Sequence, residues 1–400
     1  MTLVRRLIER PRTFAFRGWI FQIHLWTGLL LAIYAVVIGV TGSALVFTAN
    51  IEDWRARDML RVERAGTRVS ADRVVESVSA AYPGRSIIAL FPPSEPRGTF
   101  QAWLALTAKQ GQPEVFIDPY DARVIGDRLR DDGFLGWLTQ LHINLLGGRT
   151  GLVVNGTAAL LLLAMSVTGL IVWWPGLGLW KRAMSVRWGG SWKVLTYDLH
   201  SAVGFFSLLF LLVLSATGAY FAWPRTGQHM ISWFSPVRNT KNPPRVAVRA
   251  AGVRQMPLQQ LLDVAQRTVP EAWPEVAALA NQPGQSLRVY MLTGDKVSYQ
   301  TTSTVDLDPY TGAVLQVQRA RGRSAGDAVA AWIRVVHWGG FGGTPIKIVW
   351  MLFGLTPAIS AISGVLMWWN RTGAKWFRRK APFAISSWAE AEPSFQEAVR

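Results

Sequence analysis

Four stretches of this chain contain no Asp, Glu, Lys or Arg: residues 18–50, 151–180, 199–224 and 348–370. Each supplies the roughly 20 apolar residues needed to cross about 30 Å of hydrocarbon, so four transmembrane helices are expected. Half of the residues are hydrophobic, and 20 Trp and 36 Gly accompany them, which fits a membrane protein. Arg5, Arg6, Arg10, Arg12 and Arg17 resemble the basic lead of a cleaved signal peptide. The apolar run behind them is too long for that and ends without a convincing small-residue cleavage site, so it is read as an uncleaved span.

Orientation follows from Lys and Arg close to the spans. The arginine-rich arm, the loop with Lys181, Arg182, Arg187 and Lys193, and the tail with Arg371, Lys375, Arg378, Arg379 and Lys380 are expected in the cytoplasm. Both termini are then cytoplasmic, and two long connections face the periplasm of a bacterial inner membrane. The expected order is an arm and first span (1–50), a periplasmic domain (51–135), an interfacial helix and second span (136–180), and a cytoplasmic loop and third span (181–224). A second periplasmic domain (225–325), an interfacial segment and fourth span (326–370), and a basic tail (371–400) complete it.

The formal charge of +17 is spread along the chain rather than gathered in a patch, so the partner it implies is the lipid bilayer and not nucleic acid. The first connection is balanced, with 13 basic and 13 acidic residues between 48 and 150. The second has 14 basic against 7 acidic between 225 and 347, read as a solvated surface before an anion-binding one. There is no cysteine, which excludes disulfides, thiolate zinc sites, iron–sulfur clusters and covalently attached haem.

The chain is also written twice. "HLWTGLLLAIYAVVIGVTG" from His24 aligns with "HSAVGFFSLLFLLVLSATG" from His200, and in both a Thr-Gly pair begins 17 positions after the His. "LHINLLGGRTG…" aligns with "VHWGGFGGTPI…"; Thr168-Gly169 begins 26 positions after His142, and Ser363-Gly364 begins 26 after His337. "VFIDPYDARVIGD" and "VDLDPYTGAVLQV" repeat as strand, turn, strand, with Asp118 and Asp308 read as structural turn residues. Upstream, "ADRVVESVSAAYPG" and "LQQLLDVAQRTVPE" carry helical periodicity. "SIIALFPP" with "TFQAWLALTA", and "SLRVYMLT" with "KVSYQTTSTV", are the remaining strand candidates. The expected fold is thus an α-helical integral membrane protein of four spans in two tandem repeats, plus two small α+β periplasmic domains. Two spans per repeat keep the copies in the same orientation, related by a pseudo-twofold axis along the membrane normal.

That axis sorts the histidines. His24 and His200 lie near the cytoplasmic ends of their spans, while His142 and His337 end amphipathic stretches at the outer interface. Each pair can meet across the axis, and two imidazoles on opposite sides of one iron are what a bis-histidine b-type haem needs. Two such haems, one per layer, are expected. A lone membrane histidine is more often a packing or proton-relay residue. Four of five histidines in repeat-equivalent positions tip the reading towards ligation, and two histidines per layer without a carboxylate make a poor zinc or copper site. The glycines of the Thr-Gly and Ser-Gly pairs fit haem clearance and small-residue helix packing equally well. Arg149, Arg225, Arg334 and Lys347 are candidate propionate partners, though basic residues commonly flank spans. Trp173-Trp174 and Trp368-Trp369 read as interfacial anchors, and His229 has no repeat partner.

The paired "DPY" hairpins, the "LH…GG…TG…WWP" spans and the basic inner loops, over residues of about 15 to 380, resemble the PepSY-associated transmembrane proteins. These are iron-regulated inner-membrane proteins that include FoxB-type siderophore reductases. The resemblance implies two PepSY-like periplasmic domains, and two haems with His24, His142, His200 and His337 as axial ligands. It also implies reduction of a ferric siderophore of hydroxamate type, whose hard oxygen donors hold Fe(III) far better than Fe(II). No dinucleotide motif or flavin domain is evident, so the electron is expected from a separate cytoplasmic reductase or from quinol. The rival functions are an iron or siderophore permease and a sensor or regulatory scaffold in which the histidines only pack.

Overall fold

The computed structural model describes residues 9, 14–63, 66–95, 97–106, 112–130, 133–238, 243–250, 252–294 and 302–373. Arg5, Arg6, Arg10, Arg12, Lys375, Arg378, Arg379 and Lys380 lie outside the described residues. The chain runs through α1 (Phe16–Leu45), α2 (Thr48–Arg55), α3 (Ala71–Ala81), β1 (Ile87–Phe91), β2 (Phe100–Leu104), β3 (Gln112–Ile117) and β4 (Val124–Arg130). It continues with α4 (Gly133–Asn144), α5 (Gly148–Trp173), α6 (Trp192–Phe206), α7 (Leu208–Ala222), α8 (Pro224–Ser232) and α9 (Leu258–Thr268). The last elements are β5 (Trp273–Ala278), β6 (Leu287–Leu292), β7 (Thr302–Leu307), β8 (Val314–Gln318), α10 (Ala325–Trp338), α11 (Gly343–Gly354) and α12 (Thr356–Trp368).

Three helices among the described residues are long and apolar enough to cross a membrane, at Phe16–Leu45, Gly148–Trp173 and Gly343–Thr372. In hydrocarbon the backbone must satisfy its own hydrogen bonds, and a helix does so within the segment. The third expected span is a bent pair: α6 and α7 meet at 63°, and together they make a fourth crossing if counted as one. Ser207 stands at the break, and its hydroxyl donates to Val203 O at 2.6 Å. Such back-bonding competes with the helical ladder and bends it.

The described residues form two compact units. One comprises the described parts of Met1–Val40, Leu161–Leu212 and Phe353–Arg400. Within it α6 packs on α12. A Cβ at Gly39 would lie 3.0 Å from Gly354 O, so α1 and α11 approach at backbone distance. Arg17 donates to Trp174 O at 2.9 Å and to Val172 O, capping the last carbonyls of α5. On the loop before α6, the Arg187 guanidinium grips the buried Asp198 carboxylate through two bonds of 2.8 Å.

The other unit comprises Thr41–Leu160 and Val213–Leu352. Its centre is one antiparallel sheet of eight strands in the order β4-β3-β2-β1-β5-β6-β7-β8. Each connection contributes four strands and the helix packed on them, α3 or α9, and β1 pairs with β5 to join the two sets in one sheet. The join is narrow, with Ala89 opposite Ala278 and Leu90 opposite Ala277. β5 was not expected from its sequence, "WPEVAA", because Pro274 and two alanines lack the β-branched alternation that marks a strand. "KVSYQTTSTV" falls partly outside the described residues, and β7 begins at Thr302.

The pleat gives the sheet two characters. One face buries Ala102, Leu104, Val115, Ile117, Val289, Met291, Val305 and Leu307 against Val74 and Val78 of α3 and Leu261, Leu262 and Ala265 of α9. The two helices begin side by side and cap each other: Asp72 accepts from Leu258 N and Gln259 N, while Gln259 Oε1 accepts from Ala71 N. On the other face a cross-strand row carries Arg128, Glu114 and Trp103 in one half and Arg288, Asp306 and Gln316 in the other. Arg128 also binds Glu52 of α2 at 3.1 Å, tying that helix to β4.

The Arg288–Asp306 pair closes at 2.7 Å with its side chains 6% and 0% exposed. Asp306→Ala removes the carboxylate that neutralises a buried guanidinium and is expected to cost about 3–5 kcal/mol in denaturant unfolding, whereas the double change Arg288→Met with Asp306→Leu recovers most of it.

Candidate metal centres formed by histidine pairs

The two units each bring one pair of histidines together. In the first unit His24 of α1 faces His200 of α6, with ring centroids 6.5 Å apart and planes at 81°. In the second His142 of α4 faces His337 of α10 at 6.4 Å and 54°. His229 joins neither pair; it is exposed on α8 and accepts from Trp233 Nε1 at 3.3 Å.

Each ring is seated by a hydroxyl-glycine dipeptide from another helix of its own half of the sequence. His24 Nδ1 lies 3.1 Å from Thr168 Oγ1, and His200 Nδ1 lies 3.0 Å from Ser363 Oγ and 3.0 Å from Ser360 O. His142 Nδ1 lies 2.9 Å from Thr41 Oγ1, and His337 Nδ1 lies 2.7 Å from Thr217 Oγ1. The neighbouring glycine leaves room for the ring. A Cβ on Gly42 would come 2.8 Å from His142 Cε1, one on Gly169 3.1 Å from His24 Cε1, and one on Gly364 3.3 Å from His200 Cε1. At Gly42, Gly169 and Gly364 the space is thus taken by an imidazole, whereas a Cβ at Gly218 would meet Ala159 Cβ at 3.6 Å and His337 Cε1 at 3.8 Å.

His142 and His337 have a further anchor. Asn155 Nδ2 donates to His142 O and Ile143 O at 2.8 Å, and Trp350 Nε1 donates to Val336 O at 2.6 Å. Asn155 and Trp350 each stand 13 residues after their histidine, so each holds the end of the helix that carries it. The chain turns sharply just beyond. In the second half Gly339 supplies the left-handed φ of +66°, while in the first Leu145 and Leu146 adopt +51° and +60°, a strain of roughly 1–2 kcal/mol each. The seats and these anchors were not read from the sequence. The Thr-Gly spacing was visible, and the shared offset of 13 would have shown Asn155 and Trp350 as one column, though not what they bind.

The candidate propionate partners differ in their surroundings. Arg334 stacks over the Trp338 ring at 5.2 Å, Lys347 donates to Asn50 Oδ1, and Arg149 and Arg225 are exposed. Trp173 stacks on Phe205 at 4.3 Å and 21°.

The donor set can be weighed directly. Among the described residues no group of three or more His, Asp or Glu gathers to hold a bare ion. Each centre offers two imidazoles, which suits a metal whose other positions are filled by a ligand it brings, as the four nitrogens of a haem do. The second centre also adjoins an apolar cleft of about 380 Å³ whose wall includes Val213, Thr217, Trp332, Ile333 and Val336.

Apolar spanning helices, a separate antiparallel sheet and seated histidine pairs define a multi-pass membrane protein. The chain belongs to the PepSY-associated TM region family, which it matches over residues 21–371. None of the curated proteins compared with it matches.

Gly42→Ala forces the seated His142 ring to move and is expected to cost about 1–3 kcal/mol in thermal unfolding. Gly218→Ala, whose new Cβ would meet nothing closer than Ala159 Cβ at 3.6 Å, is expected to be nearly neutral. The start of α10 provides a pH test. Asp327 accepts from Ser324 N and Arg238 N and pairs with the Arg238 guanidinium at 2.9 Å. Burial by itself raises its carboxyl, but these donors and the Arg238 charge outweigh that and hold it below the usual range. A depressed carboxyl stabilises the fold above its unfolded value of about 3.9, and this is lost as pH falls through the lower folded value. Amide exchange along α10 is expected to accelerate below about pH 4, and Asp327→Asn should remove that dependence.

Proposed function

We propose that this protein is an inner-membrane reductase with two bis-histidine b-type haems. It takes electrons from a cytoplasmic reductase or from quinol and delivers them to a ferric siderophore in the periplasm, releasing Fe(II). The observation that carries the reading is the separation of the paired rings, 6.5 and 6.4 Å. A direct imidazole–imidazole hydrogen bond would bring the centroids to about 5 Å. One metal atom with bonds of about 2 Å on each side sets them at about 6 Å. Both pairs match the second spacing, which histidines that merely pack would have no reason to share.

His24 with His200, and His142 with His337, would hold the two irons. A haem bound there supplies one-electron chemistry between its ferric and ferrous states. The chain's own part is to present each ring edge-on through its seat, to fix the paired spacing, and to keep water away with apolar walls such as Val213, Ile333 and Val336. For the substrate, support comes from the family resemblance and from its chemistry: adding one electron to Fe(III) held by hard oxygen donors weakens the complex and frees the metal.

Reduced-minus-oxidised absorption spectra of the purified protein, expressed with ample haem, test this. Bands of low-spin b-type haem at two equivalents are expected, and a haem-free preparation would sink the reading in favour of the permease or scaffold. Replacing His24 or His200 should remove one centre, and replacing His142 or His337 the other.

A further inference from the structure

The seats do more than position the rings. A hydroxyl has one proton, and in the seats of His24, His200 and His337 that proton has a taker on its own helix. Thr168 Oγ1 donates to Met165 O at 3.1 Å, and Thr217 Oγ1 donates to Val213 O at 2.8 Å. Ser363 Oγ donates to Ile359 O at 2.7 Å. With its proton spent, the hydroxyl oxygen can only accept, so the histidine nitrogen facing it must be the donor. His200 makes the same point independently, because its Nδ1 also meets the Ser360 carbonyl, which has no proton to give.

We infer that Thr168, Thr217 and Ser363 are tautomer-setting residues: they lock His24, His337 and His200 as Nδ1–H imidazoles before any metal arrives. The proton is thereby kept off Nε2, the nitrogen such a ring offers to iron. The alternative tautomer would place a proton there, and ligation would first require moving it through an apolar interior. The same bond makes a ligated imidazole more basic, as hydrogen bonds to the far nitrogen of metal-bound histidines do. In Thr168-Gly169 and Ser363-Gly364 the two contacts thus act together, the glycine admitting the ring and the hydroxyl choosing its proton. Thr41 holds His142 through the same kind of dipeptide, at 2.9 Å. These are positioning residues, acting through the histidines.

The consequence for iron rests on the haem reading, but the protonation pattern does not, and the experiment separates them. Haem-free protein labelled with ¹⁵N-histidine, in lipid, reports the tautomer of each ring from its nitrogen shifts, assigned by single histidine replacements. Protonated Nδ1 and bare Nε2 are expected for His24, His200 and His337. Thr217→Val should move His337 to a mixed or Nε2–H state, and Thr217→Ser should restore it. In haem-loaded protein Thr217→Val should weaken one haem site by about 10–100-fold and leave the other intact. A wild-type spectrum with Nε2 protonated would overturn the inference without any variant. So would a folded Thr217→Val protein in which His337 keeps its tautomer and its haem. Failure of the wild type to bind haem, with the expected tautomers, would instead overturn the proposed function and leave this inference standing.

Discussion

The structure turns on the hydrogen bond between a histidine Nδ1 and a helix-borne hydroxyl. A polar ring placed among apolar helices must satisfy its nitrogens or pay for their desolvation. Each half of the chain solves this twice by the same device, reciprocally: α1 gives His24 to the Thr168 seat on α5 and offers Thr41 as the seat for His142. In the second half α6 gives His200 to Ser363 on α12, and α7 offers Thr217 to His337. Helix packing and ring orientation are therefore one constraint. A span cannot rotate about its axis without unseating a histidine, and each histidine pins its own helix to a span from the same half.

What the sequence made legible, and what it hid, divides along the range of the interaction. The spans, α3 and α9, and the hairpins around Asp118 and Asp308 follow from local pattern, since hydrophobic period and turn chemistry act over a few residues. Both aspartates do form the expected turns, with Oδ1 accepting from the amide two residues on, at 2.8 Å. The pairing of the histidines was readable because duplication supplies the long-range information that a single copy lacks. The seats were not, because a Thr-Gly pair has the same spacing whether it clears a cofactor, packs a helix or receives a ring. β5 was hidden for a different reason. Its residues are poor strand formers on their own, and it is held by strands on both sides, so pairing overrides propensity.

The two halves are alike in plan and unlike in detail, and the differences have local causes. The reversal after His337 is built from glycines, while that after His142 forces two leucines into the left-handed region. The buried acid on the third strand of each half, Glu114 or Asp306, finds its arginine on the fourth strand in one case and on the second in the other. A charge that must be neutralised can accept its partner from either neighbouring strand, so long as both project from the same face. The two acids do not stand at matching positions either: with Asp118 set against Asp308, Glu114 falls opposite Thr304 and Asp306 opposite Phe116.

The seam between β1 and β5 has a meaning for the unduplicated half. Alone, a four-stranded half would end on β1 with a row of unpaired N–H and C=O groups, an adhesive edge ready to capture another strand. Across the seam, small alanines let the two edges meet closely, and Asn281 adds a side-chain bond to Ile87 O at 2.6 Å. The join thus converts two sticky margins into interior sheet. Within this chain each set of four strands covers an open edge of the other.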